Sequence, residues 1–161
     1  MAKAPDFDVQ AAHKYFAANC FNNAWDLIDE MTRDKKARTS EEDHEMLALS
    51  MASAWHWTQR EDCTAQNMSV AYWQLARVFA LLGQADNARR YGQMCLNVSK
   101  SEGIPPFYLS YAYEALARAE MVAGDKAKMA EYLAEARRTA ERITDAESKK
   151  MLLDDLATIK L

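Results

Sequence analysis

Apolar residues along this chain recur at steps of three and four, and no stretch alternates with the two-residue period of a half-buried strand. Alanine, leucine, methionine, glutamate, glutamine, lysine and arginine dominate while β-branched residues are scattered, which is helix-forming chemistry. The pattern predicts an all-α chain of about eight helices. The first spans about Asp8 to Asn19, with Ala12, Tyr15, Phe16 and Asn19 as its inner stripe. The second begins near Asn22 and Asn23 and sets Trp25, Ile28 and Met31 on one face. A charged loop, Arg33 to Arg38, follows.

Thr39 stands three residues before Glu42, and Ser40 three before Asp43. Either pair can form a capping box that opens a third helix through Met46, Leu47, Met51, Ala54 and Trp55 to about Arg60. The polar stretch from Glu61 to Asn67 reads as a loop, with Asn67 or Ser69 capping a fourth helix that Gly83 ends. A fifth helix covers about Ala85 to Ser101, before Gly103-Ile104-Pro105-Pro106 breaks the chain. A sixth runs to Ala123 and stops at Gly124, and Asp125 is placed to cap the seventh. Thr144 and Glu147 form a last capping-box pair before a short helix carrying Leu152, Leu153, Leu156 and Ile159.

Two of these helices are copies. Residues 71–83 read AYWQLARVFALLG and residues 112–124 read AYEALARAEMVAG, with six identities in thirteen positions at an offset of 41. About one identity is expected from average residue frequencies. Tyr91 and Tyr132 extend the match into the following helix. A unit of helix, glycine turn and helix cannot bury both its faces alone, so it is stabilised by stacking on its neighbours.

The spacing of Tyr72, Leu75, Ala76, Phe79, Gly83, Ala88 and Cys95 resembles a tetratricopeptide repeat, with large, small and turn residues in that motif's order. Tyr113, Leu116, Ala117, Gly124 and Ala136 fit in the next copy, where Glu120 and Met129 replace the usual aromatic and alanine. A 41-residue period in place of the usual 34 implies helices longer by about one turn each. The resemblance implies a right-handed superhelix of antiparallel helical hairpins in one domain, residues 1–161. Clear repeats fall at about 68–102 and 107–143, an N-terminal hairpin with an extra helix at 6–60, and a capping helix at 146–160. Two registers are open for the N-terminal third. Either Ala12, Tyr15, Asn19, Ala24, Ile28 and Met31 form a hairpin at an offset of 64, or the second and third helices pair and the first is a cap.

Composition removes several functions. At 161 residues, half of them apolar, the chain can bury a core without disulfides or metal. The net charge of −4, with acids and bases interspersed, lacks the basic stripe that a nucleic-acid partner requires. Cys20, Cys63 and Cys95 have no metal or disulfide spacing. No signal-peptide core and no membrane-length apolar run stands out, so a cytoplasmic protein without a membrane partner is expected.

The chemistry-bearing residues are few. No glycine-rich phosphate loop exists, and His13, His44 and His56 do not pair at the ligand spacing of a zinc helix. His56, between Trp55 and Trp57, is expected as a packed, hydrogen-bonded histidine or a contact for a partner. A helical enzyme using His13 and His56 is the least favoured reading. The tetratricopeptide resemblance implies that the first helix of each hairpin lines a concave groove. That register places Val70, Trp73, Arg77, Ala80 and Leu81 there, with Tyr111, Glu114, Arg118, Met121 and Val122 in the second copy. Trp73, Arg77, Tyr111, Glu114 and Arg118 then offer the aromatic and arginine chemistry of binding hot spots. The alternative is structural: Arg77 and Arg118 pair with Glu114 or another carboxylate and tie adjacent hairpins together. The expected function is a non-enzymatic scaffold for a protein or peptide segment, with no cofactor. The alternative is a self-assembling homodimer or higher oligomer built through the last helix.

Overall fold

Thr39 shows how closely local chemistry fixes this fold. In the computed structural model, which describes residues 6–34 and 37–160, the Glu42 amide donates to Thr39 Oγ1 at 3.2 Å. The Thr39 amide donates to the Glu42 carboxylate at 2.8 Å, completing the capping box. The described residues form seven helices and no strand: α1 (Val9–Asp34), α2 (Ser40–Thr58), α3 (Ala65–Leu81), α4 (Ala85–Ser99), α5 (Pro106–Ala123), α6 (Lys126–Ala140) and α7 (Ala146–Ala157). They fall into two compact units, residues 1–64 and 65–161.

In the first unit the expected break at Asn22 and Asn23 does not occur, and α1 is one helix of 26 residues. Two asparagines cost only a fraction of a kcal/mol each against alanine, and neither glycine nor proline interrupts the run. The continuous helix overturns the register in which residues 12–31 fold back as a hairpin of their own. Its buried stripe is Ala17, Ala24 and Ile28, whereas Tyr15 and Phe16, expected inside, are exposed. The Met31 side chain lies outside the described residues, as do residues 35 and 36 of the expected charged loop; Arg33 and Asp34 belong to α1. Ser53 of α2 donates to the Ala17 carbonyl at 2.7 Å, and Met46, Ser50 and Ala54 complete the buried side of α2.

In the second unit, α3 packs on α4 and α5 packs on α6, and α5 also lies against α3 and α4. The turns closing the two hairpins place Gly83 at φ 71° and Gly124 at φ 75°, where a Cβ is strained. Pro106 opens α5 at a position where its missing N–H costs nothing, and Asp125 caps α6 by accepting from the Lys128 amide. Two caps differ from expectation. Asn67 and Ser69 lie inside α3, which starts at Ala65, and Asp145 rather than Thr144 caps α7, accepting from the Ser148 amide at 2.8 Å.

The 41-residue period reappears as equivalent contacts. Tyr72 lies 6.3 Å from Tyr91 between α3 and α4, and Tyr113 lies 6.4 Å from Tyr132 between α5 and α6. The departure at Glu120 also has a reason. Phe79, its counterpart, stacks on Tyr91 at 5.3 Å. Glu120 is buried and instead accepts a two-pronged pair from Arg89 of α4, at 2.9 and 2.7 Å, joining one hairpin to the next. Gly92 allows the same close approach, since a Cβ there would stand 3.0 Å from Leu116 Cδ2. α7 lies against α5 and α6, burying Leu152, Leu156 and Ile159; Leu153, expected on that stripe, is 36% exposed.

Candidate binding site

The α3, α5 and α7 helices of the second unit meet over a cluster of charge. Trp73 of α3 and Glu114 of α5 occupy the same place in successive copies, and so do Arg77 and Arg118. Glu114 is fully buried. Its Oε1 accepts from Arg118 Nε at 2.8 Å and Nη2 at 2.6 Å, and lies 3.4 Å from Arg77 Nη2. Its Oε2 accepts from Trp73 Nε1 at 2.9 Å. The α7 helix supplies the second acid: Asp155 accepts from Arg77 Nη2 at 3.1 Å and from the Tyr111 hydroxyl at 2.8 Å. Arg118 Nη2 also reaches the Thr158 hydroxyl at 2.8 Å.

Two arginines and two acids make the cluster formally neutral, the condition under which buried ions are tolerated. Burial, with Asp155 and Glu114 nearby, raises the Tyr111 phenol well above its ordinary value. The Trp73 and Tyr111 rings meet edge to face at 5.0 Å, and the Arg77 guanidinium stands 5.8 Å from the Trp73 ring centre.

Five of the six expected site residues, Trp73, Arg77, Tyr111, Glu114 and Arg118, are therefore neighbours. They hold one another and α7 in place, the structural use foreseen for the arginines. Arg118 is 7% exposed and Glu114 not at all, so neither of the two is an open groove wall. Sequence reasoning missed Asp155, although it stands one 41-residue period after Glu114, as Glu114 does after Trp73. Trp73, Glu114 and Asp155 form one ladder across α3, α5 and α7.

Beside the ladder a cavity of about 210 Å³ opens between Val70 and Trp73 of α3, Phe107, Tyr108 and Tyr111 of α5, and Met151 of α7. Its rim carries a hydrogen bond of 2.6 Å from Gln66 to the Tyr108 hydroxyl. Met151 is 52% exposed at the mouth.

No protein-family model, curated protein or solved structure matches this chain.

His56, the sixth expected residue, belongs to the first unit. It is half-buried near the end of α2, with its Nδ1 2.8 Å from Nδ1 of His13 on α1. Phe16 stacks on its ring at 5.3 Å, and Trp55 meets it edge-on at 4.9 Å. Desolvation, then the His13 charge, lowers its pKa. Trp57, expected to flank the imidazole, instead lies beneath the Arg60 guanidinium at 4.7 Å. Among the described residues, no group of three or more histidine, cysteine or acidic side chains is set to enclose a metal, and no helix is long and apolar enough to cross a membrane.

Proposed function

We propose that this chain is a non-enzymatic, tetratricopeptide-like binding module that captures a protein segment by inserting one large apolar side chain between Trp73, Tyr108, Tyr111 and Met151. The observation that carries the reading is the apolar cavity beside the ladder. At about 210 Å³ it is smaller than the roughly 300–1,000 Å³ of small-molecule and cofactor pockets, and it suits a single side chain. Trp73 and Tyr111, two of the residues singled out by the repeat, form its wall and are fixed by Glu114 and Asp155. Rigid aromatic walls lose little entropy on binding, which is the physical basis of a hot spot. The repeated hairpins and their equivalent tyrosine contacts support a tetratricopeptide-like arrangement of the second unit.

One observation weighs against the rival reading, self-assembly through α7. Leu152, Leu156 and Ile159 are already covered by the chain's own α5 and α6.

A displayed library of random peptides tests the proposal. Selection on the full chain should enrich sequences with one invariant large apolar residue, and Met151→Glu, an exposed-site change, should abolish their binding. Enrichment of no such residue, or binding that is indifferent to Met151→Glu, refutes it.

A further inference from the structure

His13 and His56 form a contact that the binding reading does not use. His13 lies in the second turn of α1 and His56 in the last turn of α2, and their Nδ1 atoms stand 2.8 Å apart. The rings meet head-on, so one imidazole donates its Nδ1 proton to the Nδ1 lone pair of the other. Among the described residues neither ring makes a second hydrogen bond. Flanking contacts hold the rings in place. Gln10, one turn before His13, donates to the Gln59 carbonyl at 3.2 Å and accepts from the Glu61 amide at 3.1 Å. One turn before His56, Ser53 donates to the Ala17 carbonyl at 2.7 Å. Phe16 stacks on His56 and Trp55 meets both imidazoles edge-on, so neither ring swings aside without losing packing.

We propose that this contact is a pH-operated latch between α1 and α2, closed by the proton between the two Nδ1 atoms and opened when both rings become imidazolium. The neutral pair carries two ring protons, one of them in the contact. A third settles on the free Nε2 of the donor ring, and the contact survives as a charge-assisted hydrogen bond. A fourth can settle only on the accepting Nδ1. Both facing nitrogens then carry protons, no acceptor is left, and two positive rings lie 5.0 Å apart centre to centre.

The charged groups nearby do not neutralise that state. Asp8 and Lys14 of α1 line a polar cleft with Arg60, Glu61 and Asp62, which follow α2, and Arg60 is already paired with Asp62. The acids of α2, Glu41, Glu42, Asp43 and Glu45, stand with His44 about three turns away at its other end. The neighbouring thiols, Cys20 and Cys63, are shifted upward by burial, away from the acid range. Desolvation, then the His13 charge, holds His56 below its ordinary value. The unfolded chain therefore takes up a proton near pH 6.5 that the closed pair refuses, so the latch is complete above about that pH and is lost as pH falls below it. All three histidines lie in the first unit, so mild acid addresses that unit through them.

Nitrogen-15 NMR of the histidine rings in the full chain, titrated from about pH 8 to about pH 4 alongside amide exchange, tests the latch. His13 and His56 should titrate as a pair, in two steps at least about one pH unit apart. Through the second step, amide protection in α1 and α2 should fall relative to α3, by roughly tenfold per pH unit where opening takes up one proton. His13→Phe removes the facing nitrogen, so the His56 step should move to higher pH and most of the acid loss of protection should go with it. Should that variant fail to fold by circular dichroism, the wild-type pair of steps and the matching fall in protection decide alone. Independent single-step titration of the two rings, or protection of α1 and α2 that stays level with that of α3 through the second step, overturns the proposal.

Discussion

Replacing Glu114 with alanine is the sharpest perturbation available in this molecule. The carboxylate is fully buried and accepts three hydrogen bonds, two from Arg118 and one from Trp73, with Arg77 at 3.4 Å. With it the cluster is neutral; without it Asp155, which pairs with Arg77, is the one acid left beside two arginines, and the cluster carries a net charge of +1. Breaking a buried ion pair by removing one partner costs about 3–5 kcal/mol, most of it the penalty of the charge left behind. That is a large share of the roughly 5–15 kcal/mol that holds a domain folded. For a unit of this size, each kcal/mol lowers Tm by about 4–8 °C, so Glu114→Ala should melt at least about 12 °C earlier. Urea unfolding followed by circular dichroism measures the loss. The Glu114→Ala/Arg118→Ala double variant should lose less than the sum of the singles, with a coupling of roughly 1–3 kcal/mol. A loss under about 1 kcal/mol, the value of an exposed pair, would show that the cluster is solvated and that α7 is not held by it.

Two further outcomes follow from the same unit. Gly92→Ala should destabilise by about 1–2 kcal/mol in urea midpoint measurements, because the new Cβ meets buried Leu116 at 3.0 Å and the crowding outweighs the helix-propensity gain of about 1 kcal/mol. The raised Tyr111 pKa gives an alkaline signature. Its folded value lies above the unfolded value of about 10, so the stabilisation is complete below pH 10 and is lost as pH rises beyond it, where the unfolded chain binds fewer protons. Tyr111→Phe should flatten the decline of Tm above pH 10. Part of the decline should remain, because burial pushes Cys95 up to about 11 in the same direction; a variant with an unchanged slope would refute the assignment.

Helical content, most breaks and the 41-residue period were legible because they rest on local chemistry: glycine at positive φ, proline at a helix start, and small residues where helices approach. The fused α1 was not, because asparagine is a weak breaker and the packing of Ala17, Ala24 and Ile28 on α2 decides the matter. Phe16 and Tyr15 were misplaced for a related reason: with α1 continuous, the buried stripe follows Ala17 and leaves the aromatic pair outside. Arg77, Arg118 and Glu114 were found at the right positions, but whether they face solvent depends on α7. The sequence of α7 reads as an apolar cap, and its stripe conceals Asp155 between Leu152 and Ile159. The contact between His13 and His56 was beyond reach, since 43 residues and a helix turn separate them.

The swap of partners around the period has a consequence for what the repeat means. The two hairpins match as backbone lengths, yet their facing surfaces are unlike halves: Trp73 meets Glu114, and Arg89 meets Glu120. A chain rebuilt with two copies of the first hairpin would set tryptophan against tryptophan and remove both Glu114 and Glu120, the buried acids that the arginines share across the seam. A chain built from two copies of the second would set carboxylate against carboxylate. The order of the hairpins is therefore written into the seam between them, so the units can be counted like beads but not exchanged like them.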